Sequence, residues 1–273
     1  MKSLSPHVLF VWLLTLFGIA RPDTVEFKAI KEGVLEGRLQ LAHPKIAERY
    51  LRLRVLFEKT GCADLREQRA KGSKEPNLIC PIEGTGPVPR RIVVGAHYDS
   101  AGGNGTIDNW TGAILLPTLA EFMREKPRRH SFHFVGFAAE EKGLLGSRAY
   151  LNSIGAEERG QIAAVVTMDS MGLSPTKFWP NSSSKELVAL AAQLAGAMRL
   201  QFAGVNVDAV GTTDSMTFHK AGLSVLSLHS ITQETLPLIN SKLDTRKSLS
   251  WKDYYDTHRF VSALLAYLDQ KLP

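Results

Sequence analysis

Several short apolar runs of this chain end on a histidine or a carboxylate. The runs IVVGA, FHFVGFAA and IAAVVTM have the length and composition of buried strands, and they are followed by His97, by the pair Glu140 and Glu141, and by Asp169. Helix-type segments lie between these runs. In a parallel sheet the carboxyl ends of the strands face one edge, where ligands bind. We therefore expect these polar side chains to lie close together at that edge.

The alternation of segments predicts an α/β fold, a three-layer α/β/α sandwich with a mixed, mostly parallel central sheet. Strands are predicted over 78–82, 92–96, 132–137, 163–168 and 223–228. Helices are predicted over 44–60, 111–126, 143–153, 184–198 and 251–270. Ser250 and Asp253 are spaced as in a capping box, which favours the start of the last helix at Trp251.

The side chains at the predicted edge are of the kinds that bind zinc. A further carboxylate, Asp108, lies in the glycine-flanked turn GTIDNWTGA directly before a helix. Zn²⁺ accepts imidazole nitrogen and carboxylate oxygen, and a catalytic site also needs a carboxylate that is not tied to the metal. A lone His97 is more often structural, and adjacent glutamates are more often a solvated helix start. The convergence of several such groups favours a metal site.

The charge of the chain does not indicate a nucleic-acid partner. The 273 residues carry a formal net charge of +6, but basic residues such as Lys45, Arg52 and Arg128 are scattered along the sequence. There is no basic run interleaved with aromatic side chains that could stack on bases. We interpret the charge as that of a solvated surface and expect no nucleic-acid partner.

Residues 1–20 are predicted to be a secretory signal peptide. Lys2 precedes an apolar stretch over 8–19, and Gly18 and Ala20 supply a small-residue end. This stretch is shorter than the ~20 residues that cross a bilayer, and no later segment is long enough. An uncleaved anchor is the less favoured alternative. Residues 21–273 are then the mature domain of a secreted or periplasmic protein.

The chain contains two cysteines, Cys62 and Cys80. They lack the C-x-x-C spacing and the nearby histidines of a metal site. Exported proteins retain disulfides, so we predict a structural bridge between these two residues.

A series of motifs resembles one enzyme family. The segments HYDS, DNWTGA, AAEEKGLLGSRAY, MDSMG and TTDSMTFHKAGLSVL occur in this order and look like those of the secreted co-catalytic zinc aminopeptidases, within a superfamily that also includes glutaminyl cyclases. The resemblance covers roughly residues 40 to 270. It implies that residues 21–273 form a zinc aminopeptidase-like catalytic domain that acts on peptides with a free N-terminus.

The resemblance also implies roles for individual residues. His97, Asp108 and Asp169 match the ligands of a first metal, and Asp108 would bridge to a second metal that Glu141 also binds. Glu140 matches the general base, which takes a proton from the attacking water.

Other matching positions would support this site. Asp99 matches the carboxylate that fixes the tautomer of the ligand histidine. The Asp108–Asn109 peptide is expected to be cis. Thr213, Asp214 and Ser215 are candidates for lining the substrate site.

One position departs from the family pattern. The second metal normally has a histidine ligand before the last helix, and the matching segment INSKLDT places Asn240 there. An amide oxygen is a weaker zinc ligand than imidazole. We therefore predict one tight Zn²⁺ and a second that binds weakly or not at all. His229 is an alternative ligand, but we favour a hydrogen-bonded loop histidine there.

Three functions stay open at this point. The first is a metallo-aminopeptidase that hydrolyses N-terminal residues from peptides. The second is a glutaminyl-cyclase-like activity, although that zinc site uses the histidine position occupied here by Asn240. The third is a catalytically impaired relative that binds peptides, which only the loss of one ligand supports.

Overall fold

The protein is described by a computed structural model over residues 30–208 and 211–273. The predicted signal peptide, 1–20, and the following residues 21–29 lie outside this part of the chain. The strands are β1 Arg66–Gln68, β2 Asn77–Ile82, β3 Arg91–His97, β4 Ser131–Phe137, β5 Ile162–Asp169, β6 Lys177–Phe178, β7 Ala203–Gly204 and β8 Val225–His229. They form one sheet in the order β1-β2-β4-β3-β5-β8-β6-β7.

The centre of the sheet is parallel. Strands β4, β3, β5 and β8 pair in parallel, whereas β2 joins β4 and β6 joins β8 in antiparallel fashion. Each of the five predicted strands is present with ends shifted by no more than two residues. The predicted mixed, mostly parallel α/β sheet is therefore confirmed.

The helices that cover the sheet are α1 Glu32–Leu39, α2 Ile46–Lys59, α3 Thr111–Arg124, α4 Leu145–Ser153, α5 Ala156–Gly160, α6 Lys185–Ala197, α7 Ser215–Lys220 and α8 Trp251–Lys271. All five helices predicted from the sequence are present. The short helices α1, α5 and α7 were not predicted, because one or two turns carry too little periodicity. Helix α8 begins as expected, with the Ser250 hydroxyl accepting the backbone N–H of Asp253.

Both faces of the sheet are buried, as a parallel sheet between helix layers requires. On one face, Val94, Val166 and Leu226 belong to the larger core cluster, which includes side chains of α2, α3, α6 and α8. On the other face, Val93 and Val165 pack with side chains of α4 and α7. Alternate residues of each strand thus enter opposite layers.

The two cysteines form the predicted bridge. Cys62 follows α2 and is joined to Cys80 in β2, with Cα atoms 6.0 Å apart. In the described ranges, the helices lack the combination of length and hydrophobicity that crossing a membrane requires.

Candidate metal centre

The predicted site residues lie at the carboxyl edge of the parallel strands. His97 is the last residue of β3 and Asp169 is the last residue of β5. Glu140 and Glu141 follow β4, and Asp108 lies in a turn just before α3. Of these side chains, His97, Asp108 and Glu140 are buried, although the cavity described below reaches them.

The distances among these groups suit a zinc ion. The Nε2 atom of His97 lies 3.2 Å from Oδ1 of Asp108 and 3.6 Å from Oδ1 of Asp169. Ligand atoms around a tetrahedral zinc are separated by about 3.3 Å, given metal–ligand distances near 2.0 Å. The three ligand atoms lie within 4.8 Å of one another. The imidazole and the two carboxylates therefore fit a single zinc without rearrangement of the backbone.

A second group shares His97. Ligand atoms of His97, Glu140 and Glu141 also lie within 4.8 Å of one another. The Glu141 carboxylate accepts the backbone N–H of Ala101 at 2.9 Å, which holds this side chain against the loop after β3. Glu140 and Glu141 thus stand beside the first group.

The site concentrates negative charge around one imidazole. Burial raises the pKa of Glu140 to about 10 and that of Glu141 to about 7. Burial alone would lower the pKa of His97, but the surrounding carboxylates, Glu140 first among them, raise it well above its ordinary value. Buried like charges raise the free energy of the ionised site unless a cation offsets them. The surplus of carboxylates is therefore consistent with a cation site.

Asp99 contacts both His97 and the glutamate pair. Its Oδ1 lies 3.5 Å from Nδ1 of His97. Its shorter bonds are with the main chain: Oδ1 accepts the N–H of Glu140 at 3.0 Å and Oδ2 that of Glu141 at 3.2 Å. Asp99 therefore holds the backbone of the glutamate pair, and its role in fixing the tautomer of His97 stays a prediction.

The turn that carries Asp108 contains the expected cis peptide, between Asp108 and Asn109. The Asn109 side chain was not predicted to contribute to the site. Its amide group donates to the Met168 carbonyl at 2.9 Å, and its oxygen accepts the N–H groups of Gly112 and Ser170. Asn109 therefore attaches this turn to the end of β5.

The segment Thr213 to Ser215 lies behind the site and does not line it. The Thr213 hydroxyl donates to Oδ2 of Asp169 at 2.9 Å, so it supports a candidate ligand. Asp214 and Ser215 are buried, and the polar atoms of their side chains have no hydrogen-bond partner. The prediction that these three residues line the substrate site is wrong for this cavity, which Thr212 lines instead.

The cavity over the site has a volume of about 330 Å³ and is lined by both polar and apolar side chains. The polar lining includes the candidate ligands and Glu140. The apolar lining consists of Trp179, Val207, Ile231 and Ile239. Such a cavity suits a small ligand that has both a polar and an apolar part.

Asn240 lies in this cavity, with a left-handed backbone at φ 56°. His229 also lines it, but both of its ring nitrogens are already bonded. Its Nε2 lies 3.0 Å from the Val205 carbonyl oxygen, and its Nδ1 accepts the N–H of Ile231 at 3.1 Å. His229 is the hydrogen-bonded histidine that we favoured, and it offers no free nitrogen to a metal.

The sequence matches the model of a known peptidase family and several curated proteins. The model of the family described as "Peptidase family M28" matches residues 77–265. Aminopeptidase YwaD of Bacillus subtilis (strain 168) is 25% identical over 185 residues, which cover 64% of this chain and 37% of that protein. The chain spans well under half the length of the curated relatives with which it aligns.

Solved structures show the same fold. The Legionella pneumophila LapA aminopeptidase matches with a TM-score of 0.71 and 17% identity, covering 93% of this chain and 79% of LapA. An Acidobacteriales bacterium glutaminyl cyclase matches with a TM-score of 0.73 and 16% identity, covering 92% of this chain and 100% of the cyclase. At these identities the likeness concerns the fold alone.

Proposed function

The chain belongs to peptidase family M28, and from this premise we propose that it is a zinc-dependent aminopeptidase that removes N-terminal residues from peptides. The observation that carries the proposal is the joint position of His97, Asp108 and Asp169 with Glu140 beside them, at one cavity. Aminopeptidase relatives support the choice of reaction.

His97, Asp108 and Asp169 would hold a tight zinc ion, and Asp108 with Glu141 would hold a weaker one. The second site is weaker because Asn240 offers only a neutral amide oxygen. When bound, zinc supplies Lewis-acid activation of water and of the scissile carbonyl.

Glu140 is proposed as the general base. It lies outside the ligand set of the first ion, and a cation bound beside it would lower the pKa that burial raises. Its carboxylate could then take a proton from the attacking water and pass it to the leaving amine. The carboxylates that line the cavity would attract the ammonium group of a peptide N-terminus, and the apolar side chains Trp179 and Ile231, which line the same cavity, would contact the side chain of the first residue. Asp99 keeps Glu140 in place through its backbone.

Hydrolysis of aminoacyl p-nitroanilides, with and without added Zn²⁺, tests this proposal. We expect zinc-dependent release of nitroaniline from substrates with a free amine and none from N-acetylated ones. Glu140→Gln should lower kcat by ~10²–10⁴-fold because it removes the base. A chain that binds zinc yet releases no nitroaniline would refute the aminopeptidase and leave glutaminyl cyclisation and peptide binding as the alternatives.

Glutaminyl cyclisation is the second candidate. A solved glutaminyl cyclase is covered along its whole length by this chain, whereas the solved LapA aminopeptidase is covered over 79%. Incubation with glutaminyl peptides distinguishes the two reactions, since cyclisation releases ammonia and leaves the chain length unchanged. Ammonia release without loss of a residue would replace our first proposal.

We also propose that the protein is secreted or periplasmic, with residues 1–20 removed. The Cys62–Cys80 disulfide supports this, because such bridges persist in oxidising compartments. N-terminal sequencing of the exported protein would test the cleavage.

A further inference from the structure

A fully buried arginine joins the two loops that carry candidate ligands. Arg49, in α2, has no exposed surface and lies outside the segment that matches the family model. Its guanidinium group donates to the carbonyls of Tyr98 and Asp99, directly after His97 in the chain. It also donates to the carbonyls of Asn104 and Gly105, both at 2.9 Å, shortly before Asp108. A single planar cation thus binds both loops.

A buried carboxylate binds the main chain of the same turn. Asp244 is fully buried and accepts the backbone N–H of Ile107 at 2.5 Å and that of Asp108 at 3.2 Å. Asp244 lies four positions beyond Asn240 in the chain. The backbone of the candidate bridging ligand is therefore fixed by a side chain from a distant segment.

Neither group has a place in the chemistry proposed above. A buried cation and a buried anion each lose hydration. This loss destabilises the fold unless hydrogen bonds inside the protein offset it. Here the bonds go to main-chain groups of the loop after His97 and of residues 104–108, and the Arg49 guanidinium also lies 5.2 Å from the centre of the Trp110 ring. Both residues therefore bind the turn that presents Asp108, and Arg49 also binds the loop after His97.

We infer that Arg49 and Asp244 are positioning residues that fix Asp108 relative to His97 and thereby set the affinity of the metal site. The inference rests on the proposed function for the identity of the metal. Residues outside the ligand set that orient ligands typically change metal affinity by ~10–100-fold when replaced. We expect losses of this size for Asp244→Asn, which keeps the shape but cannot accept with both atoms, and for Arg49→Lys, which cannot span both loops.

The chain provides matched controls. Asp269 is a buried carboxylate that accepts the N–H groups of Arg129 and His130, before the amino end of β4. The seven residues of β4 separate it from the metal edge by about 20 Å. Asp269→Asn removes the same kind of double acceptor far from the site. Arg52, also in α2, donates to the Leu41 carbonyl, and Arg52→Lys is the control for the arginine.

Two measurements on the full chain decide the inference. Amide hydrogen exchange of the metal-free protein reports whether the N–H groups of Ile107 and Asp108 lose protection. Competition with a chromogenic chelator gives the zinc dissociation constant. We expect Asp244→Asn and Arg49→Lys to increase exchange in the 104–108 segment and to weaken zinc binding ~10–100-fold, whereas both control variants change neither.

The outcomes separate this inference from the proposed function. If the wild-type chain binds no zinc, the proposed function fails, while the exchange of Ile107 and Asp108 still decides whether Asp244 holds the turn. If the wild type binds zinc and both site variants bind it as tightly, the inference is overturned. Equal losses in Asp269→Asn and Asp244→Asn would also overturn it, because the effect would then be one of general stability.

Discussion

The carboxylate of Asp99 accepts the backbone N–H of Glu140 at 3.0 Å. Asp99 belongs to the loop after β3, and Glu140 follows β4, so this bond connects the loop of the candidate ligand His97 to the candidate base. The second oxygen of Asp99 accepts the N–H of Glu141. One side chain therefore fixes the relative position of a base and a ligand.

Asp99→Asn should lower kcat/KM by ~10–100-fold and weaken zinc binding. An amide has one acceptor oxygen, so one of the N–H groups of Glu140 and Glu141 would face a donor and the pair would move. Steady-state kinetics with an aminoacyl p-nitroanilide provides the measurement. Asp64→Asn, at an exposed aspartate, is the control and should have no effect. Unchanged kinetics in Asp99→Asn would show that this bond does not matter for catalysis.

Asn240→His should raise the zinc content toward two ions per chain. The left-handed backbone at this position, φ 56°, is tolerated by Asn and by His, so the substitution adds an imidazole without large strain. Metal analysis after dialysis against micromolar zinc provides the count. Asn240→Gly keeps the backbone freedom but adds no ligand, and it should leave the content of the wild type unchanged.

If Asn240→His binds no more zinc than Asn240→Gly, the Asn240 side chain does not face the second ion. A wild-type chain that already holds two equally tight ions would contradict the predicted weak site.

The fold and the candidate metal ligands were predictable because they depend on local patterns. Strand β5 is found at Ile162–Asp169 where the apolar run 163–168 indicated it. The carboxyl ends of β3 and β5 share an edge because the strands are parallel neighbours. His97 and Asp169 therefore had to lie near each other. Asp108 was indicated by its glycine-flanked turn before a helix, and only its bridging role came from the resemblance.

The groups that hold the site in place were not predictable. Arg49 binds carbonyls 49 to 56 positions away, and Asp244 binds N–H groups 136 and 137 positions away. Such bonds leave no periodic signal, since each depends on how distant loops meet. Thr213 to Ser215 were misassigned for the same reason, because a motif does not tell which of its side chains point into a cavity.

Replacement of both cysteines by alanine should lower the free energy of unfolding by about 3 kcal/mol. The bridge between Cys62 and Cys80 closes a segment with a sequence separation of 18, and its loss gives the unfolded chain more freedom. Urea titration at neutral pH provides the measurement. A reductant should destabilise the wild type to a similar extent and leave the double variant unchanged. A double variant as stable as the oxidised wild type would refute this estimate.

Acid should destabilise the fold partly through His133, which lies in β4 and shares a hydrogen bond of 2.8 Å with the Tyr150 hydroxyl. Burial lowers the pKa of His133 to about 3. An unperturbed histidine has a pKa of ~6.5. Below that pH the unfolded chain binds a proton at this residue, whereas the folded chain does not. The contribution of His133 is therefore complete above pH ~6.5 and is lost as the pH falls toward its folded pKa.

Between pH 7 and pH 5 the titration of His133 alone should lower the free energy of unfolding by about 2 kcal/mol. His133→Gln keeps a polar partner for Tyr150 but does not titrate, so its unfolding free energy should fall less over that interval. Burial also lowers the pKa of His258, to about 4, so part of the pH dependence remains in the variant. His219→Gln, at an exposed histidine, is the control and should follow the wild type. Equal pH dependence in His133→Gln and the wild type would mean that His133 takes up a proton in the folded state.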